Sequence, residues 1–263
     1  MVIGQHGGHY GTGRWNFDED HELSIADSYL SWGWSNPAVP KIKPVGNLKA
    51  KRSLRGEHAV QLGAVLVTCA LPRLSYVMYS IPVAGQFLDY LEDQFTFVKA
   101  LPGRVRALFT ARLYKHDYGW DQELRWRERV PGLRLDEGKV PMEQLLSRSR
   151  LCVVTYNASA YLESFAMNVP TILYWKPEHW ELRSSAEPWF DELKRARILH
   201  ETPESAARHV AAIWDNVDAW WSNVEVQTAL ARFGDRYSRH PEDMPAAVES
   251  ALRDAMVPLG SAV

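Results

Sequence analysis

From about residue 60 onward, short apolar runs alternate with segments of helical period, and this alternation limits the possible folds more than any other feature. Strands separated by helical crossovers belong to a parallel sheet. The expected strands are Ala64-Cys69, Val105-Thr110, Leu151-Thr155, Thr171-Trp175 and Ile198-His200. Between the first two, Val83, Phe87, Leu91, Phe95 and Val98 recur at spacings of three and four, which marks one face of a helix. Met142 to Ser149 and Ser159 to Met167 read as further crossover helices, the second stopped by Asn168 and Pro170. Thr202-Pro203-Glu204-Ser205 opens another, with Thr202 as cap and Pro203 at its first position, running to about Trp221. The remainder, Val224 to Met256, is helical with a break at His240-Pro241, before a frayed tail. The expected fold is an α/β doubly wound parallel sheet.

Before residue 60 the pattern changes. A two-residue apolar scrap, Val2-Ile3, leads into Gly4-Gln5-His6-Gly7-Gly8-His9-Tyr10-Gly11-Thr12-Gly13, where an imidazole and an amide sit among five glycines. Glycine so concentrated lets backbone approach a ligand closely, at a conformational cost that ordinary loops rarely carry. Asp18, Glu19, Asp20 and Glu22 follow, then Ser31-Trp32-Gly33-Trp34, three prolines and Val45-Gly46-Asn47. This reads as a linker-like segment carrying site residues. The expected division is 1–60 as an inter-domain catalytic segment, 61–223 as the sheet domain, and 224–263 as C-terminal helices and tail.

Charge excludes some partners. A net charge of -2 over 263 residues leaves no electrostatic footprint for nucleic acid or an anionic membrane. The basic clusters Lys49 to Arg55, Arg104 to Arg112 and Arg125 to Arg129 read equally well as solvated faces. Cys69 and Cys152 lie inside apolar runs and read as buried reduced thiols rather than a disulfide framework. With no apolar run long enough to span a bilayer, the expectation is a cytoplasmic protein. Trp15, Trp32, Trp34, Trp120, Trp175, Trp180 and Trp189 flank polar segments, as packing aromatics or as a platform for a sugar or base.

The strand-to-helix junction Thr155-Tyr156-Asn157-Ala158-Ser159 carries the clearest chemistry. In open α/β sheets ligands bind beyond the carboxyl ends of strands, and a helix N-terminus there favours phosphate. Thr155 and Ser159 can add hydroxyl donors, and Glu163, on the same helix face as Ser159, can accept from ribose hydroxyls. The simpler alternative makes Asn157 or Ser159 a helix cap and Glu163 a solvated residue. After the second strand, Arg112, Lys115 and His116 could converge on the same anion, or form a charged loop held by Asp117. No complete dinucleotide fingerprint, Walker sequence or nucleophile elbow is present, and His6-x-x-His9 with Asp18, Asp20 and His21 matches no standard zinc spacing.

Gln5-His6-Gly7-Gly8, Glu22, Ile25 to Tyr29 and Ser31 to Trp34 resemble a family of bacterial surface-carbohydrate transferases. The resemblance continues through Arg112 to Tyr114, Asp117 to Trp120, Thr155-Tyr156, Tyr161 to Glu163, Asn168 to Trp175 and Trp180 to Arg183. More distantly the chain is similar to capsule-type sialyl and Kdo transferases and to teichoic-acid polymerases, which have the two-Rossmann GT-B architecture. The resemblance implies the Rossmann-like, donor-binding half of such a glycosyltransferase, transferring a sugar from a nucleotide-sugar to an acceptor hydroxyl. It implies His6 as general base or else as a phosphate-contacting imidazole, with Gln5 beside it as a catalytic residue, Arg112, Lys115, Thr155 and Ser159 on the donor phosphate and Glu163 on the ribose. Distant relatives carry His-Pro where this chain has His116-Asp117, which sets His116 apart.

The same resemblance implies substrates and partners. The donor is expected to be a nucleotide-sugar bound as substrate, with a CMP-linked acidic sugar favoured and UDP or GDP donors open. No resident cofactor or metal is expected. The expected acceptor is a glycan or lipid-linked molecule of the cell envelope, and membrane contact is at most peripheral. An N-terminal acceptor half is expected on a separate polypeptide or lost by truncation, the alternative being a chain that works as a minimal donor domain. The alternatives are a nucleotide-sugar epimerase or hydrolase of the same architecture, and a non-catalytic nucleotide-binding interaction module.

Overall fold

The computed structural model describes residues 1–48, 63–74, 76–77 and 79–256. The basic cluster from Lys49 to Arg55, the expected boundary near residue 60 and the end of the tail lie outside the described residues. In chain order the elements are β1 (Val2–Gly4), α1 (Phe17–Ile25), β2 (Ser28–Ser31), β3 (Ile42–Pro44) and β4 (Gly63–Val67). There follow α2 (Gln86–Ala100), α3 (Gly103–Arg106), β5 (Phe109–Arg112), α4 (Gln122–Arg129) and β6 (Arg134–Asp136). Next come α5 (Met142–Arg148), β7 (Ser149–Val154), α6 (Ser159–Ala166), β8 (Thr171–Tyr174), α7 (Glu187–Arg195) and β9 (Leu199–His200). The chain closes with α8 (Pro203–Ile213), α9 (Val217–Trp221), α10 (Val224–Tyr237) and α11 (Met244–Met256).

Among the described residues the larger sheet has six parallel strands in the order β6-β5-β4-β7-β8-β9. Counted from β4, that is the doubly wound order 3-2-1-4-5-6, and its topological switch point lies between β4 and β7. Strands covered on both faces are apolar throughout, and Ala64 to Val67 of β4 and Leu151 to Val154 of β7 are buried without alternation. The apolar face expected on α2 is observed: Phe87, Leu91, Phe95 and Val98 are buried, although Val83 precedes the helix and is exposed.

Three expectations are corrected. Residues 105–110 are not one strand: Pro102 precedes a helical turn that holds Val105, and β5 starts only at Phe109. The helix after Thr202 breaks at a 3-10 turn, Trp214–Asn216, and Asn216 caps α9 by accepting the Ala219 N–H. The described part of the segment before residue 60, residues 1–48, is no linker: β1, β2 and β3 form a separate three-stranded parallel sheet, with α1 crossing between its first two strands. Its strands have only three or four residues, too short for a periodic signature.

The C-terminal helices tie the two sheets together. α10 packs on α6 and α7, while α11 places Ala251 against Leu30 and Val45 of the small sheet's side. Gly33, at φ +136, lies so close to α10 that a Cβ would stand 2.6 Å from the Asp235 carbonyl oxygen. Trp32, Trp34, Trp120, Trp175 and Trp180 are buried and serve packing, whereas Trp15 is exposed and stacks with Phe17. Both cysteines are free and buried, and burial pushes the Cys69 thiol up to about 12. Among the described residues no helix is long and apolar enough to cross a membrane.

Candidate active site

The glycine loop leaves β1 and runs to the far sheet's switch point. Gln5 anchors its start: its side-chain oxygen accepts from Trp32 N–H (2.9 Å) and from the Trp34 indole N–H (2.8 Å). Its amide nitrogen donates to the Gly7 carbonyl at 2.8 Å, and the residue is buried. The expected part for Gln5 in the chemistry therefore gives way to a structural one, because both ends of its amide are spent on the loop and the Trp turn. Further on, Gly11 adopts φ +73, and a Cβ there would stand 2.7 Å from the Trp34 ring. Its N–H donates to buried Glu19 at 2.6 Å, and Glu19 pairs with Arg183 at 2.8 Å. Burial raises the Glu19 pKa against the opposing pull of Arg183.

Gly8 brings this loop to the helix. Its N–H donates to Ser159 Oγ at 3.1 Å, and a Cβ at Gly8 would lie 2.6 Å from Ala158 C and 2.7 Å from Ser159 N. Only glycine permits that approach. Ser159 is the first residue of α6, and the cap residue Ala158 has no side-chain acceptor for the first-turn N–H groups. The glycine loop and the anion-attracting end of α6 thus form one site.

His6 stands at the open side of this junction with its side chain 61% exposed. Its Nε2 is 2.9 Å from Glu22 Oε1 and 2.6 Å from the Tyr10 hydroxyl. Tyr10 and Tyr29 each donate to Glu22, at 3.1 and 3.3 Å. Burial first, and then Glu22, push both tyrosines well above the ordinary phenol range, so they remain donors. A carboxylate against one ring nitrogen fixes the imidazole's orientation and compensates the charge it carries after taking a proton. His9 differs: it stacks on Tyr79 at 4.1 Å, and burial followed by His6 pulls it down to about 4, so it is neutral at pH 7.

The expected phosphate residues divide. Ser159 faces the glycine loop, and Glu163, partly buried, lies four positions further along α6. Thr155 is fully buried; its hydroxyl donates to the Val67 carbonyl at 3.0 Å and lies 2.6 Å from the Tyr90 hydroxyl, bolting β7 to β4. Arg112 ends β5 with its side chain 15% exposed and bound to Asp136 and the Val140 carbonyl, both at 2.6 Å. Its charge is neutralised inside the β5–β6 edge, so the structure does not bring it to α6. Lys115 is exposed and lines a cavity of about 420 Å³ beyond β5 with Asp117, Glu123 and Glu137. Buried Asn157 donates to Thr12 Oγ1 at 3.2 Å and accepts from the Tyr161 hydroxyl, a second tie between loop and junction.

Sequence reasoning did not single out Glu22 for chemistry, although it falls within the resembling motifs. Tyr10 carries no signal of its own, and Tyr29, like Glu22, falls within the resembling motifs without pointing to chemistry. Their convergence depends on α1, which lies where the sequence pattern suggested a linker.

The LIC12162 family transferase model matches residues 1–252. No curated protein matches the chain in sequence. Among solved structures, a protein described as a putative UDP-N-acetylglucosamine 2-epimerase from Listeria monocytogenes is similar at 14% identity and TM-score 0.53, covering 84% of this chain and 58% of that one. The wall teichoic acid polymerase TagF, in a CDPG soak, is matched at 10% identity and TM-score 0.45, covering 89% of this chain and 58% of that one. The glycotransferase of kitacinnamycin is matched at 15% identity and TM-score 0.43, over 87% of this chain and 55% of that one. The chain therefore spans less than two thirds of these proteins, and the likeness to the Listeria protein is one of fold.

Proposed function

The chain belongs to the LIC12162 family of transferases, and from that membership we propose that it is the donor-binding part of a glycosyltransferase. In this reading a nucleotide-sugar lies across the switch point between β4 and β7, and its sugar passes to an acceptor hydroxyl of a bacterial surface glycan. The observation that carries the reading is the contact of Gly8 with Ser159, which joins the His6 loop to the N-terminus of α6.

His6, oriented by Glu22, takes the proton from the acceptor hydroxyl as the new glycosidic bond forms. The N–H groups of the first turn of α6 and the Ser159 hydroxyl meet the negative charge that gathers on the departing phosphate. Glu163 accepts from the ribose hydroxyls. Gln5 and Thr155 hold the two loops in place, and Arg112 braces the adjacent strand edge.

A thermal-shift screen of CMP, CDP, UDP and GDP against this chain tests the donor site directly. Stabilisation by one nucleotide, lost in Ser159→Ala, is the expected result, with the cytidine nucleotides first in order. No shift with any of the four rejects the donor site.

A further inference from the structure

A separate cavity of about 720 Å³ opens beside the edge strand β9. Its lining includes Lys194, Arg197, Thr202, Ser205, Arg208 and His209. Arg197 and Arg208 are exposed, and neither has an ion-pair partner among the described residues. The one carboxylate among the described residues on the wall, Glu201, is taken by Lys194 at 2.6 Å.

The buried side of this cavity has an uncompensated group. His209 is only 7% exposed, yet among the described residues neither of its ring nitrogens has a hydrogen-bond partner. Its neighbour His200, with ring centroid 5.3 Å away, is fully satisfied: Nε2–H donates to the Arg197 carbonyl at 3.1 Å, and Nδ1 accepts from the Ser205 hydroxyl at 2.9 Å. Trp220 also packs against His209 in a T-shaped pair, with ring centroids 5.1 Å apart and planes at 81°. A buried neutral imidazole always carries one N–H, and leaving it unmatched is costly enough to need an explanation. Burial first, then His200 and Arg197, pull His209 down to about 4, so it remains neutral.

We propose that this cavity binds a small phosphate-bearing anion, gripped by Arg197 and Arg208 and completed by the N–H of His209. Two guanidinium forks offer paired donors that match phosphate oxygens, and the Thr202 hydroxyl lies at the same rim. His209 lines the cavity with both ring nitrogens out of solvent contact, and rotation about its Cβ–Cγ bond is the motion that would bring its N–H to the anion. The volume exceeds that of inorganic phosphate, which leaves room for the organic part of a phosphomonoester. β8 separates β9 from β7, so this site is distinct from the junction at α6.

Histidine side-chain ¹⁵N–¹H NMR on the full chain, titrated with inorganic phosphate and then with glycerol 2-phosphate, tests the proposal. The His209 signal, assigned by its absence in His209→Gln, should move saturably, and sodium chloride at equal ionic strength should not reproduce the movement. Arg208→Ala should weaken the apparent affinity about tenfold, and Arg197→Ala should act in the same direction. Both arginines are exposed, so these variants keep the fold. A non-saturating response, or one unchanged in Arg208→Ala, overturns the site. So does a response abolished by Ser159→Ala, because the anion would then be entering the α6 junction instead.

Discussion

Gly8 and Ser159 are 151 residues apart in sequence, yet the N–H of one donates to the hydroxyl of the other at 3.1 Å. A Cβ at Gly8 would overlap the Ala158–Ser159 peptide, and backbone on both sides leaves nothing flexible to yield. Gly8→Ala should therefore destabilise the chain by about 1–3 kcal/mol and weaken nucleotide binding by displacing the loop from α6. Urea unfolding with a parallel nucleotide titration measures both, and wild-type behaviour in both would mean that the contact is not a constraint.

The proton-transfer role separates from binding. His6→Ala should leave nucleotide affinity within about twofold and reduce transfer by about 10²–10⁴. Glu22→Gln should reduce transfer less, since the imidazole remains and loses only its carboxylate. Loss of nucleotide binding in His6→Ala would instead assign His6 to the donor phosphate.

Arg112 and Asp136 form an enclosed pair, with side chains 15% and 10% exposed. Arg112→Met leaves the carboxylate without its partner and should cost about 3–5 kcal/mol. Adding Asp136→Leu should recover a substantial part of that loss, the sign of a broken pair rather than of lost packing. Nucleotide affinity, measured where both variants are folded, should be little changed. A specific loss of affinity would restore Arg112 to the donor site.

Three histidines give the stability a pH dependence of known sign. His9, His200 and His209 are each pulled down to about 4 in the folded chain, chiefly by burial. The unfolded chain, with histidines near their ordinary ~6.5, binds more protons between those values, so stability falls as the pH drops from about 6.5 toward 4. Each histidine contributes a slope of up to about 1.4 kcal/mol per pH unit in that window. Glu19, raised by burial, works in the opposite sense, losing stability as the pH rises through its own range. Urea midpoints at pH 5, 6 and 7.5 should show the net loss on the acid side, and His209→Leu should flatten it. A flat profile would show that these rings take up protons without cost.

Most of the large sheet is legible in the amino-acid order alone; β6, three residues of which two are charged, is not, and β5 reads as starting four residues too early. Unbroken apolar runs at β4, β7 and β8 and the three-to-four spacing on α2 are local patterns, and local periodicity is what separates strand from helix. The β7–α6 junction and the glycine loop are legible for the same reason, because both depend on neighbouring residues. The small sheet is not, since its strands, Val2–Gly4, Ser28–Ser31 and Ile42–Pro44, are short and interrupted by polar, glycine or proline residues, with no unbroken apolar run to mark them. Which polar side chains remain available is settled only by the folded chain. Gln5 is spent on Trp34, 29 residues away, and Thr155 on Val67, 88 residues away, while Arg112 is held by Asp136. Such partners are chosen by packing between distant segments. The packing that consumes these three groups also carries the His6 loop across to Ser159.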